Sequence, residues 1–157
     1  MDATQVVYGQ HKAWCYLVED TASRTLLSIK PVKQLCKLAA AITLKEAQQL
    51  LRQYGITDPL VIQTDGGSDF TSDHSQTTCK ELGSWHRSSI KKTQGMAILA
   101  RLNKTFKYDF LFRQECDAFE QLDPLSQTFK QWYNRERIHS AIGYLTPWQK
   151  LKLDARL

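Results

Sequence analysis

Leu60-Val61-Ile62-Gln63-Thr64-Asp65-Gly66-Gly67 is the stretch whose reading decides the fold of this chain. Three apolar residues in a row, set off upstream by Asp58-Pro59, suit a short strand buried on both faces, as in the middle of a parallel sheet. A parallel strand needs a crossover, and a helix pattern stands directly upstream. Thr43 can cap a helix with Glu46 three residues on; Leu44, Ala47, Leu50 and Leu51 recur at helical spacing, and Gly55 stops the run. Asp65 then stands at the carboxyl end of the strand, where open α/β sheets gather ligands. An aspartate before Gly-Gly fits an ordinary turn equally well.

Working outward, residues 5–8, 13–19 and 25–32 are rich in Val, Leu, Ile, Tyr and Trp and are separated by segments of loop composition, which predicts a three-stranded meander. Beyond Asp65 the pattern predicts a helix over 75–82 closed by Gly83, a strand over 85–90, a basic segment from Lys91 and Lys92 to Gly95, and helices over 96–111 and 117–135. Thr146 caps a last helical turn with Pro147 at its first position. The expectation is an α/β fold in which three antiparallel meander strands and further parallel strands form a mixed sheet with helices on both faces.

The chain's 157 residues fit a single domain over 1–157, and 42% hydrophobic residues with four prolines and seven glycines exclude a disordered or fibrous chain. No apolar run approaches a membrane span and no secretory leader opens the chain, so the expected location is the cytosol. Cys15, Cys36, Cys79 and Cys116 lie far apart with no zinc-ligand spacing, and buried thiols are expected of them. A net charge of +5 and a pI near 9.0 favour a polyanionic partner.

Asp2 precedes the first strand, and adjacent central strands can bring it beside Asp65. Two neighbouring carboxylates hold a hard cation that takes phosphate oxygens as further ligands. In Arg101-Leu102-Asn103-Lys104-Thr105-Phe106-Lys107, Lys104 and Lys107 fall four and seven residues after Ala100, on one helical face able to clamp a phosphodiester backbone. A solvated lysine face has the same spacing.

As a set these residues resemble the catalytic core of the DDE transposase and retroviral-type integrase superfamily, which has an RNase H-like fold, with bacterial insertion-sequence transposases most similar. Asp2-Ala3-Thr4 resembles the first motif, Gln63 through Phe70 the second, and Arg101 through Lys107 the third. The stretch Tyr133-Asn134-Arg135-Glu136-Arg137-Ile138-His139-Ser140-Ala141-Ile142-Gly143-Tyr144-Leu145-Thr146-Pro147 is similar to the closing motif. The resemblance covers essentially the whole chain. It implies metal-dependent DNA cleavage and strand transfer at Asp2, Asp65 and a third acid, with Mg²⁺ or Mn²⁺ held by Asp2 and Asp65. It further implies DNA contacts from Lys91, Lys92, Arg101, Asn103, Lys104 and Lys107, no small-molecule substrate, and pairing as a homodimer, for which Trp132 is a candidate contact and equally a core residue.

The chain departs from that pattern in two places. The third acid, a glutamate in the family, falls at position 100, which is alanine, with no acid at Leu99 or Arg101. The approach from Gln94 to Leu99 also strays, which favours natural drift over a single deliberate replacement. At the front only Met1 precedes Asp2, so the first strand reads as truncated, and no separate domain for reading DNA ends is recognised. The leading expectation is an integration or transposition core that binds nucleic acid with impaired catalysis. The alternative is a non-catalytic DNA-binding or self-association module retaining the fold; an RNase H acting on hybrids ranks below both, because it leaves the closing motif unexplained.

Overall fold

The computed structural model of the chain describes residues 1–64, 73–88 and 94–155. Its strands are β1 (Asp2–Tyr8), β2 (His11–Glu19), β3 (Leu26–Val32), β4 (Val61–Thr64) and β5 (Trp85–Ser88). Its α-helices are α1 (Lys37–Gln53), α2 (Asp73–Glu81), α3 (Gln94–Lys104), α4 (Leu122–Arg135) and α5 (Pro147–Asp154). The first three strands form an antiparallel meander with β2 in the middle, and β4 pairs in parallel with β5. The Met1 nitrogen donates to the Gln63 carbonyl at 2.8 Å, which sets the start of β1 beside the end of β4. Among the described residues no helix is long and apolar enough to cross a membrane.

The period of two along the strands sorts the core into two layers. Ala13, Cys15 and Leu17 of β2, with Val6 of β1, pack against Leu99 and Leu102 of α3, Phe106 beyond it, and Phe129 and Tyr133 of α4. Tyr16 and Val18 point the other way, to Ala40, Leu44, Ala47 and Leu51 of α1 and Leu151 of α5. Helices thus cover both faces of the meander, as the sequence predicts. Asp2 pairs with Leu17 across β1 and β2, so its side chain shares the face that α3 covers.

Three expectations need correction. First, α1 begins at Lys37, and Thr43 lies buried inside it, its hydroxyl donating to the Ala39 carbonyl at 2.7 Å and capping nothing. The Ala39-Ala40-Ala41 run, among the best helix formers, carries the helix upstream of that threonine. The C-terminal end agrees with expectation: Gly55 takes φ +79°, Gly55 N donates to Arg52 O and Ile56 N to Leu51 O, which closes a Schellman motif. Second, Cys36 is exposed, while the other three thiols are buried. Third, the helix expected over 96–111 changes its winding. It is α-helical to Lys104 and π-helical over Thr105–Phe110, before a 3₁₀ turn at Leu111–Arg113. Phe106 and Phe110 share one face of this segment, and both rings lie on Phe129, at centroid distances of 4.9 and 5.4 Å.

The closing segment is fixed by polar bonds to the meander. Asn134, buried at the end of α4, accepts from Leu26 N and donates to Leu26 O, both at 2.9 Å, acting as one residue of an added strand beside β3. Thr146 and Gln149 form a reciprocal capping box at the start of α5, with Pro147 in the first turn, as expected. Because Asn134→Ala leaves a buried donor and a buried acceptor on Leu26 unpaired, it should lower stability by about 2–4 kcal/mol. Urea unfolding followed by circular dichroism measures this, and a loss under about 0.5 kcal/mol, the size of an ordinary surface change, would contradict the assigned role.

Candidate nucleic-acid cleft

At the start of β1 the Asp2 carboxylate is held from two sides. Its Oδ1 accepts from Ala3 N at 2.9 Å, and its Oδ2 accepts from the Asn103 amide of α3 at 2.7 Å. Asn103 is buried at 8% exposure, and its own Oδ1 is enclosed without a partner among the described residues. Donation to Asp2 is therefore what orients this amide. The sequence reading counted Asn103 among DNA contacts; the structure spends its donor on the strand.

Helix α3 turns a stripe outward at Ala97, Ala100, Arg101 and Lys104, spaced by three and four residues, while Leu99, Leu102 and Asn103 face inward. That stripe, Met96 and Asp2 line an open cleft of about 580 Å³. Position 100 thus lies in the same cleft as Asp2, with two cations beside it. Lys107 is not among the lining residues. It falls in the π turn, and its ammonium sits 5.8 Å from the Tyr108 ring centroid. Trp132 is half-buried, packed against Phe129 and beneath the Arg137 guanidinium.

Asp65, Lys91 and Lys92 lie outside the described residues. The elements flanking Asp65 nonetheless converge. Thr64 is buried at the end of β4, Gln63 receives the Met1 nitrogen, and a Cβ on Gly95 would come within 2.6 Å of Gln63 Oε1, so the start of α3 lies against β4. Among the described residues no three His, Cys, Asp or Glu side chains gather to hold a metal ion. A two-metal centre needs carboxylates on several sides, and the described cleft offers Asp2 alone with a methyl group at position 100. The described donor set does not fit such a centre.

A second pocket of about 400 Å³ lies across the Ala97 and Arg101 ridge of α3, bordered by Glu19, Arg24, Arg101, Tyr133, Arg137 and His139. The Tyr133 hydroxyl donates to Glu19 Oε1 at 3.2 Å, while Glu19 Oε2 is enclosed and unpartnered among the described residues. Burial pushes the Glu19 carboxyl up to about 8 from an ordinary 4.5, against the pull of the Tyr133 bond and Arg24. Burial first, then Arg137, Arg24 and Arg101, push the His139 imidazole down to about 4. Sequence reasoning passed over Glu19 and Arg24. The signal was present: Glu19 continues the inward register of Ala13, Cys15 and Leu17 in a central strand, where an acid is out of place.

Comparison with known proteins adds to this geometry. Residues 84–147 match the family described as integrase core domain. Over 93 residues the chain is 28% identical to the transposase for insertion sequence element IS904 of Lactococcus lactis subsp. lactis (strain IL1403), covering 56% of this chain and 36% of that protein. Among solved structures, a chain of the simian T-cell lymphotropic virus intasome in complex with PP2A regulatory subunit B56 gamma superposes with a TM-score of 0.76 at 20% identity. That match covers 96% of this chain and 52% of the other. The HTLV-2 integrase catalytic core domain in complex with magnesium, in its dimeric form, gives 0.70 at 22% identity over 96% of this chain and 91% of that one. The catalytic core domain of BIV integrase gives 0.68 at 20% identity, covering 99% and 93%. The chain therefore spans about a third of the transposase it matches and about half of the intasome chain.

The Glu19 shift has a consequence for stability. A carboxyl whose folded value lies above its unfolded one stabilises the fold fully below about pH 4.5 and loses that contribution as pH rises through about 8. Glu19→Gln, which stays neutral, should show a smaller fall in urea midpoint between about pH 5 and about pH 8.5 than the unaltered chain. Equal falls in the two proteins would refute the shift.

Proposed function

Because this chain carries the integrase core of the DDE transposase and retroviral-type integrase superfamily, we propose that it holds DNA along α3 and is impaired in the phosphodiester chemistry associated with that core. The observation that carries the reading is the placement of Ala100 in one cleft with Asp2, Arg101 and Lys104. A phosphodiester needs cations to neutralise it, and Arg101 and Lys104 supply them beside the strand end. Cleavage needs carboxylates to fix divalent ions beside the attacking and leaving oxygens, and a methyl group at position 100 supplies no ligand. If the missing carboxylate is worth about 4 kcal/mol of transition-state stabilisation, the rate falls roughly a thousandfold.

The net charge of +5 supports the same division, since replacing an acid by alanine removes repulsion from an incoming phosphate without removing a base. Asp2, with Asp65 beside it in sequence-based expectation, is the remaining place for Mg²⁺ or Mn²⁺, held weakly. Pairing with a second copy is in keeping with the dimeric form of the HTLV-2 core. The second reading, a binding or self-association module with no residual chemistry, is favoured by the same alanine.

A supercoiled-plasmid nicking assay with Mg²⁺ or Mn²⁺ separates them. The unaltered chain should be silent and Ala100→Glu should nick. Nicking by the unaltered chain would overturn the claim of impairment, and silence in both would favour the module. Independently, Lys104→Ala should weaken duplex binding at low salt by roughly three- to tenfold, as expected for one lost phosphate contact; unchanged binding would remove the cleft as the DNA interface.

A further inference from the structure

The geometry points to a second anion site, formed by Arg24, Arg101, Arg137 and His139 in the pocket across the α3 ridge, that takes a backbone phosphate of the DNA strand held in the Asp2 cleft. This rests on the cleft being the DNA interface and extends it to the other side of the helix.

Three arginines lining one pocket, none in an ion pair among the described residues, carry the inference. Arg24 Nη1, Arg137 Nε and His139 Nε2 are all enclosed, and none has a hydrogen-bond partner among the described residues. The ion pairs among those residues are Lys30 with Glu46, Lys45 with Glu81 and Lys150 with Asp154, so no guanidinium of this pocket is paired with a carboxylate. The one acid present, Glu19, is bonded to the Tyr133 hydroxyl. Three guanidinium groups line this pocket without a carboxylate partner among the described residues, and a phosphate, with several acceptor oxygens and a charge, suits the geometry that guanidinium groups favour.

The site is also held in shape before any ligand arrives. The Arg137 guanidinium lies 5.9 Å from both the Trp132 and Tyr133 ring centroids, and the Tyr133 ring meets His139 edge-on at 5.1 Å. Arg24 holds φ +62°, a left-handed conformation that a residue with a side chain rarely adopts, at the turn that brings its guanidinium to the pocket. Arg24, Arg101, Arg137 and His139 all line this one pocket.

Continuity with the cleft selects DNA over a small phosphate. Ala97 and Arg101 border both spaces, so α3 is a ridge between them. One DNA strand carries a phosphate about every 3.4 Å of axis, and a helix with its side chains is about 10 Å wide. A strand crossing the ridge therefore offers phosphates to both sides, and Arg101 is placed to bridge them.

The test is fluorescence anisotropy of a labelled duplex with the full chain across a salt series, comparing Arg24→Gly, Lys104→Ala and the unaltered protein. Glycine suits φ +62°, so Arg24→Gly removes the guanidinium without straining the fold. It should weaken binding roughly tenfold and reduce the slope of log K against log salt by about 0.9, one phosphate contact. In a parallel arm, inorganic phosphate should shift the His139 ring signals in NMR of the unaltered chain and not of Arg24→Gly. If Arg24→Gly binds with unchanged affinity and slope while Lys104→Ala is weakened, the second site is overturned and the cleft stands. If neither variant weakens binding, both readings fall. A phosphate-dependent His139 shift with unchanged DNA binding would assign the pocket to free phosphate and overturn the DNA contact.

Discussion

The hydrogen bond from the Asn103 amide to the Asp2 carboxylate ties α3 to the end of β1, and the arrangement of the site follows from it. Asn103 lies at the edge of the buried face, and Ala100, about 60° round the helix from it, and Lys104, about 100° round, stand on the exposed side. One bond sets the rotation of α3 and, with it, which side chains stand over the strand ends. The apolar contacts of Leu99, Leu102 and Phe106 anchor the same face in the core. They would tolerate small slips along the helix; a directional bond between two part-buried polar groups tolerates fewer, because a slipped amide would leave the carboxylate without it.

Much of this was legible in the residues. The stop at Gly55 and the box at Thr146 rest on local chemistry and follow from it; the strand before Asp65 also forms, but it is not buried on both faces as its apolar run suggested, since Val61 is exposed. Thr43 misled because a cap pattern and a mid-helix threonine with Glu three residues later look alike, and the alanine run upstream decided the matter. Lys107 misled because helical spacing assumes uniform winding. In the π turn Phe106 and Phe110 pack on Phe129, a residue of another helix, and no window on one helix contains that contact.

The closing motif shows how a segment can resemble a family signature for structural reasons. Asn134 satisfies both backbone groups of Leu26, Tyr133 meets Glu19, and Thr146 caps α5. Each acts on the fold, and each requires one residue type: an amide to donate and accept at once, a hydroxyl on an aromatic ring, a short side-chain oxygen. Arg137 and His139 differ, since Arg137 Nε and His139 Nε2 bond to no described residue. Within one motif the bonded residues build the scaffold and the unbonded ones face the pocket.

On the proposed function, Ala100 has opposite effects on binding and on chemistry. A carboxylate at that position would stand beside Arg101 and Lys104 and draw on their charge, leaving less for an incoming phosphate unless a divalent ion intervened. With alanine no ion is needed to make the cleft attractive, because among the described residues its cations face only Asp2, which Asn103 already engages. Losing the ligand therefore separates two properties that a metal-dependent site keeps coupled. On the proposed reading, binding rests on basic side chains that stay in place, while turnover depends on a carboxylate that position 100 lacks.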